Sequence, residues 1–333
     1  MLQLSRLQKN IAIILCFLAV AGGLYYWQLG QKAVELPPIT VRLGWVHQAQ
    51  FAGFYVAEQK GFYEEAGLSV EILESDFASS QTAEVASGEV EASVMEAHQL
   101  LGDSDNLESL IAVAAIYQIN PHSLAVREDS GINSPKDFTG KTVGLAGGES
   151  EGSALFEIFI NEIAGKDSVT YKELGFDTVN DFLNNRADII DVYRIDQPYL
   201  AAQKGVPLKI IPLEAYGFST YGDLLVMNRS FTEEYPEATK RFVQATMKGW
   251  QYAIDNPTEA AEISLMYASG DYADLEYQKH IIYESLPLIR GNVRKLGTME
   301  LVPWSNLYES MLRVGVVKKD IDIQSLFTNK FLK

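Results

Sequence analysis

The sequence predicts an α/β protein of two lobes, each built on a doubly wound sheet flanked by helices. Three observations carry this expectation. Apolar runs of strand length alternate with helical patterns in β-α-β order. One of these runs, Leu110 to Tyr117, is apolar almost throughout, as a parallel strand buried on both faces requires. The chain has 333 residues, enough for about two domains with a core each.

Val41, Leu43 and Trp45 begin a strand that breaks at Val46-His47-Gln48. Phe51 to Lys60 reads as a helix stopped by Gly61, and Phe62 to Ala66 as a shorter turn stopped by Gly67. Leu68 to Leu73 is the next strand, Gln81 to Ser87 a helix, and Ala92 to Met95 a strand. A second unit follows the Leu110 strand. Thr142 to Leu145 is a strand, Gly147 to Gly152 a loop, and Ser153 to Ile163 a helix ended by Gly165. Thr178 to Asn184 reads as a helix and Asp188 to Tyr193 as a strand, and Pro198 opens a helix in its first turn. Leu208 to Pro212 and Asp223 to Met227 are strands. The chain then turns helical over Thr232–Tyr252, Pro257–Ala268, Tyr277–Tyr283 and Pro303–Val314. If the late helices pack back on the first lobe, the chain crosses twice, near Leu124-Val126 and Leu225-Met227. The expected division is residues 38–124 with 227–333 in one lobe and 125–226 in the other.

Composition narrows the function. Against 44 Asp and Glu stand 27 Lys and Arg, a formal charge of −17. So acidic a surface repels phosphate backbones and disfavours a nucleic-acid partner. The single cysteine, Cys16, excludes an intramolecular disulfide, a cysteine zinc site and an iron–sulfur cluster. Arg6 and Lys9 precede an uncharged run from Ile11 to Trp27, the pattern of an export signal. Ala19-Val20-Ala21 fits a signal-peptidase site. The same run also suits an uncleaved membrane anchor with Tyr25, Tyr26 and Trp27 at the interface. Either way residues 1–37 are a signal or anchor with its tether, and the bulk of the chain is expected outside the cytoplasm.

Open α/β sheets bind ligands beyond the carboxyl ends of their strands. That rule selects Trp45, Gln48 and the following Phe51, then Glu96 and His98, the loop Gly147-Gly148-Glu149-Ser150, Tyr193 and Asp196, and Tyr216 in the segment before the last strand. Arg194 is the one fixed cation in these segments. A sulfonate, nitrate or phosphate site wants several cationic donors. Aromatic faces beside carboxylates suit a flat, nitrogen-rich, neutral or cationic ligand. We expect stacking on Trp45 and Tyr193, amine recognition by Asp196 and Glu149, and close backbone approach at Gly147-Gly148. The competing readings are Trp45 as a core residue and Asp196 as a cap for the helix that Pro198 opens.

Two motifs mislead. Gly148-Glu149-Ser150-Glu151-Gly152 matches the nucleophile elbow of hydrolases, yet the only downstream histidine is His280, on a late helix. The four histidines, His47, His98, His122 and His280, lack ligand spacing, so no metal and no cofactor are expected.

The segments Val41-Arg42-Leu43-Gly44-Trp45, Gln50-Phe51-Ala52-Gly53-Phe54-Tyr55-Val56-Ala57 and Gly61-Phe62-Tyr63-Glu64-Glu65-Ala66-Gly67-Leu68 resemble the thiamine-pyrimidine-synthase-like family. Gly131-Ile132-Asn133-Ser134-Pro135-Lys136-Asp137-Phe138-Thr139-Gly140-Lys141-Thr142-Val143 is similar to its inter-lobe segment. The resemblance spans roughly residues 38 to 320 and implies the type II periplasmic-binding fold. Some members are enzymes that build the aminopyrimidine of thiamine from pyridoxal phosphate and one of their own histidines. They carry a lysine in the segment like Val90 to Leu100, a histidine four residues later, and a cysteine-rich cluster before the strand like Asp223 to Met227. Here Met95 stands at the lysine position, His98 falls one residue short of the histidine, and Tyr216 to Tyr221 holds no cysteine. A Schiff base cannot form on methionine. The resemblance therefore implies an exported solute-binding protein of an ABC-type importer, which takes an aminopyrimidine by hinge closure and partners a permease. His47-Gln48-Ala49-Gln50 resembles the version in sensory members, so a membrane-tethered sensor is the alternative. No transmitter domain is expected in the short stretch Asp320 to Lys333.

Overall fold

In the computed structural model, residues 36–146, 151–165, 167–175, 178–184, 186–291, 295–317 and 320–333 are described. The chain divides into two units, Met1–Leu36 and Pro37–Lys333, and the second holds the two sheets. The expected signal or anchor lies almost wholly outside the described residues, as do Gly147, Gly148, Glu149 and Ser150. Among the described residues, no helix is long and apolar enough to cross a membrane.

The strands are β1 (Ile39–Arg42), β2 (Val70–Leu73), β3 (Ala92–Met95), β4 (Leu110–Ala115), β5 (His122–Arg127), β6 (Thr142–Ala146), β7 (Thr170–Leu174), β8 (Ile189–Tyr193), β9 (Leu208–Pro212) and β10 (Leu224–Asn228). Helices α1 (Ala52–Gln59), α2 (Phe62–Glu65), α3 (Gln81–Ser87) and α4 (Ala97–Gly102) belong to the first half of the chain. Helices α5 (Glu151–Ile163), α6 (Thr178–Leu183) and α7 (Gln197–Gln203) flank the second sheet. The C-terminal run is α8 (Arg229–Glu234), α9 (Pro236–Asp255), α10 (Pro257–Leu265), α11 (Leu275–Arg290) and α12 (Leu301–Val314).

Two five-stranded mixed sheets result, ordered β2-β1-β3-β10-β4 and β7-β6-β8-β5-β9. Each is a doubly wound sheet of the predicted kind, with one strand inserted antiparallel. β10 runs antiparallel between β3 and β4, and β5 runs antiparallel between β8 and β9. β4 is therefore not a central parallel strand. It closes one edge, where Phe327 bridges Ala112 and lines up the C-terminal segment beside it. That cover explains why an edge strand is apolar on both faces and fully buried.

The crossings differ from expectation. Leu124-Val126 lies inside β5, which pairs in the second sheet from His122 to Arg127, and Leu225-Met227 lies inside β10 in the first. The chain passes between sheets at residues 116–121 and 213–223, just before each inserted strand. A crossing inside a strand would leave ladder groups unpaired. β5 and β7 were not expected as strands, and the single helix expected over Thr232–Tyr252 is broken by Pro236 at the first turn of α9. The long α9 lies directly on α1. A Cβ on Gly249 would sit 2.1 Å from the carbonyl oxygen of Gly53, so a side chain there would force the two helices apart.

Candidate functional site

A cavity of about 540 Å³ opens where the ends of strands from both sheets converge. Strands running one way present their carboxyl ends. The turn after β1 supplies Gly44, Trp45 and Gln48, the end of β3 supplies Met95, Glu96 and His98, and the end of β8 supplies Tyr193 and Asp196. The inserted antiparallel strands present their amino ends instead, so β5 contributes its first residue, His122, and β10 contributes Asp223, which precedes it. A side chain on Gly44 would press to 2.9 Å from the Val94 carbonyl, so the chain leaves β1 tight against β3.

Six expected residues thus line one cavity: Trp45, Gln48, Glu96, His98, Tyr193 and Asp196. Phe51 does not. It is fully buried at the start of α1, where an apolar ring returns more in the core than at a polar wall. Tyr216 is exposed outside the cavity lining, its ring edge-on to Phe159. Gln50, Phe77, Phe156, Asp191, His122 and Asp223 line the cavity without having been selected from the sequence.

The walls carry two hydrogen-bonded clusters. In the first, Glu96 Oε1 accepts from His122 Nε2 at 2.9 Å and Glu96 Oε2 accepts from Asn120 Nδ2 at 2.8 Å. Nδ1 of His98 lies 3.3 Å from the same Oε2, within ion-pair reach but without the alignment of a hydrogen bond. Burial alone would raise the Glu96 pKa, but the imidazoles of His122 and His98 hold it well below the usual carboxylate range. His122 moves the opposite way. Burial works against its charge, and Glu96 outweighs burial to raise it.

The second cluster crosses from sheet to sheet through tyrosines. Tyr193 donates to Asp223 Oδ1 at 2.9 Å, and Gln50 Nε2 donates to Asp223 Oδ2 at 2.9 Å. Tyr277, from α11, donates to Asp196 Oδ1 at 2.7 Å and stands 2.8 Å from Gln48 Oε1. Gln48 in turn donates to Gln50 Oε1 at 2.8 Å. Among the described residues no Lys or Arg pairs with either aspartate. Burial raises Asp223 to about 7 and Asp196 to about 6, against the opposing pull of the Gln50 and Tyr193 donors on one and of Tyr277 on the other. Asp196 does precede α7, but its side chain caps no helical N–H.

Five carboxylates line the cavity (Glu96, Asp103, Asp191, Asp196 and Asp223), and among the described residues no Lys or Arg does. Arg194, the cation expected nearby, pairs with Glu214 at 2.6 Å. Among the described residues, no group of three or more His, Cys, Asp or Glu is set to hold a metal ion. The aromatic walls are Trp45 with Phe77, ring centroids 4.7 Å apart, and Tyr193 with His122, 5.0 Å apart. Among its described residues such a site offers acceptors and rings, and the positive charge it holds is the imidazole of His122, already paired with Glu96.

A family model described as NMT1/THI5 like matches residues 48–260. Among curated relatives, a riboflavin-binding protein, RibY, of Chloroflexus aurantiacus is 26% identical over 306 residues, covering 89% of this chain and 86% of that protein. A 4-amino-5-hydroxymethyl-2-methylpyrimidine phosphate synthase of Legionella pneumophila is 25% identical over 300 residues, 88% of this chain and 92% of that protein. A formylaminopyrimidine-binding protein of Halalkalibacterium halodurans is 25% identical over 286 residues, 84% of each. Among solved structures, the alkanesulfonate-binding protein SsuA of Xanthomonas axonopodis pv. citri superposes with a TM-score of 0.67 at 11% identity, covering 89% of this chain and 99% of that one. At that identity the likeness is one of fold, the two-lobed fold of periplasmic binding proteins.

Proposed function

Because this chain belongs to the NMT1/THI5-like family, we propose that it is an extracytoplasmic solute-binding protein that captures an amine-bearing aromatic heterocycle of the thiamine-pyrimidine type. The observation that carries this reading is the carboxylate-lined cavity with no Lys or Arg among its described lining residues. Ring amines donate to carboxylates and tyrosine oxygens, whereas a sulfonate or nitrate would meet carboxyl groups and no Lys or Arg among the described lining residues. Trp45 and Tyr193 offer faces for the ring. Ligand contacts from both sheets favour the closed arrangement of the lobes, so binding shifts a hinge equilibrium, and an ABC-type permease takes the closed form.

The relative named as a synthase raises the enzymatic alternative. Pyridoxal phosphate does not fit this cavity. Met95 lines it at the position where the resemblance puts the synthase lysine, and a thioether cannot form a Schiff base. The described lining also lacks a Lys or Arg for the cofactor's phosphate.

A second reading has a specific observation in its favour. The cavity, about 540 Å³, is roomy for a single pyrimidine ring, and one relative is named for riboflavin. A flavin shares the flat, nitrogen-rich ring. Both readings meet one experiment. Purified protein is titrated calorimetrically with 4-amino-5-hydroxymethyl-2-methylpyrimidine, riboflavin, taurine and nitrate, and its melting temperature is followed. A pyrimidine present at 100 times its Kd should stabilise the protein by about 2.7 kcal/mol. Binding of riboflavin alone selects the second reading, and binding of taurine or nitrate alone refutes both.

A further inference from the structure

Phe77 stands out by its backbone. Its φ is +56°, the left-handed region that bulky L residues avoid. In the described chain the other non-glycine residue with positive φ is Asp167, a residue type that tolerates it far better. Strain of this kind persists only where the surroundings impose it, and it concentrates at ligand clamps.

The surroundings here are visible. Ser75 N donates to the Trp45 carbonyl at 3.1 Å, which fixes the loop to the turn after β1. Asp76 Oδ1 then accepts from the N–H groups of Ala78 and Ser79, at 3.0 and 3.1 Å, and Ser75 Oγ accepts from Phe77 N at 3.3 Å. These bonds hold the Phe77 ring against Trp45 with centroids 4.7 Å apart and planes at 78°. Both residues line the cavity. Phe77 remains 49% exposed, so core burial does not compensate its strained backbone.

We infer that Phe77 is a specificity-determining residue that forms, with Trp45, an aromatic corner receiving the flat face of the ligand. Two planes nearly at right angles give one ring a face to lie on and an edge to abut, the two geometries aromatic rings favour. The corner selects flat ring systems and gives nothing to a compact tetrahedral or trigonal solute. This inference rests on the heterocycle reading above and assigns that site a further wall.

Its test separates the two. Phe77→Gly removes the ring and at the same time relieves the backbone, because glycine occupies positive φ freely. The ligand-free variant should melt no lower than the wild type, while its affinity for 4-amino-5-hydroxymethyl-2-methylpyrimidine or riboflavin, whichever the wild type binds, falls about tenfold. Phe77→Tyr should restore the affinity. A glycine variant that binds within about a factor of two of wild type overturns the inference and leaves the heterocycle reading standing. A variant that melts lower and binds normally assigns Phe77 to structure alone, which also overturns it. If the wild type binds neither ring compound, the heterocycle reading fails and takes this inference with it.

Discussion

Glu96 and Asp223 face the same cavity and are buried to nearly the same degree, 8% and 4% exposed, yet they ionise in opposite directions. Glu96 sits between two imidazoles and stays charged far below the normal range. Asp223 has only a phenol and an amide as donors, and burial carries it to about 7. Asp196, held by Tyr277, follows Asp223 with a rise to about 6. Burial alone therefore does not set the charge of a wall; the nature of the partner does. One cluster is a fixed, internally compensated ion pair. The other is a pair of acceptors whose charge varies with pH, and it lies where an amine-bearing ring would meet it.

The largest effect is expected from breaking the compensated pair. Glu96→Gln leaves His122 without its counter-charge and should cost about 3–5 kcal/mol near pH 6, read as a shift in urea-unfolding midpoint at constant slope. The His122 titration, followed by NMR, should move downward because Glu96, the strongest of the carboxylates that raise it, is gone. A loss below about 1 kcal/mol with an unmoved His122 would mean that the cluster is solvated and the contrast false.

The uncompensated aspartate should show the reverse dependence. An acid whose folded pKa, about 7, exceeds its unfolded value binds its proton more tightly when folded. Its burial therefore costs stability above pH 7, and that cost fades as pH falls toward the unfolded pKa. His47 and His280, both lowered by burial, pull the other way near pH 6, so the comparison is made against Asp223→Asn. At pH 8 the variant should be the more stable by about 2–4 kcal/mol, and near pH 4 the two should coincide. The same variant should bind an aminopyrimidine more weakly at pH 8, since the charged acceptor is what the ring amine meets. Parallel stability curves would remove Asp223 from the pH-variable set.

These clusters also mark how far the sequence could be read. The sheets' parallel portions announced themselves through apolar runs and helix stops, and the carboxyl-end rule led directly to Trp45, Glu96, Tyr193 and Asp196. His122 and Asp223 escaped because they belong to β5 and β10, which run antiparallel and bring their amino ends to the cavity. Strand direction is a long-range property; nothing local in His122-Ser123-Leu124 or Asp223-Leu224-Leu225 encodes it. Phe77 escaped for another reason, since only backbone geometry distinguishes it from any loop aromatic. Phe51 and Tyr216 lie outside the cavity lining because position after a strand says where the backbone goes and not which way a ring turns.

The smallest effect probes the seam between the sheets. Tyr277→Phe keeps the buried ring and deletes one hydroxyl, which removes the donor to Asp196 Oδ1 and the polar neighbour of Gln48 Oε1. Asp196 and Gln48 are each buried, at 3% and 1% exposed, so the loss should be about 1–3 kcal/mol. The Asp196 pKa should climb above its present value of about 6, because Tyr277 is the donor that opposes burial there. That bond joins α11, in the C-terminal run, to the turn after β8 in the second sheet. If the lobes hinge as proposed, its loss should loosen them, and small-angle scattering should give the ligand-free variant a larger radius of gyration than wild type. If stability falls and the radius does not change, Tyr277 holds its neighbours in place without holding the lobes together.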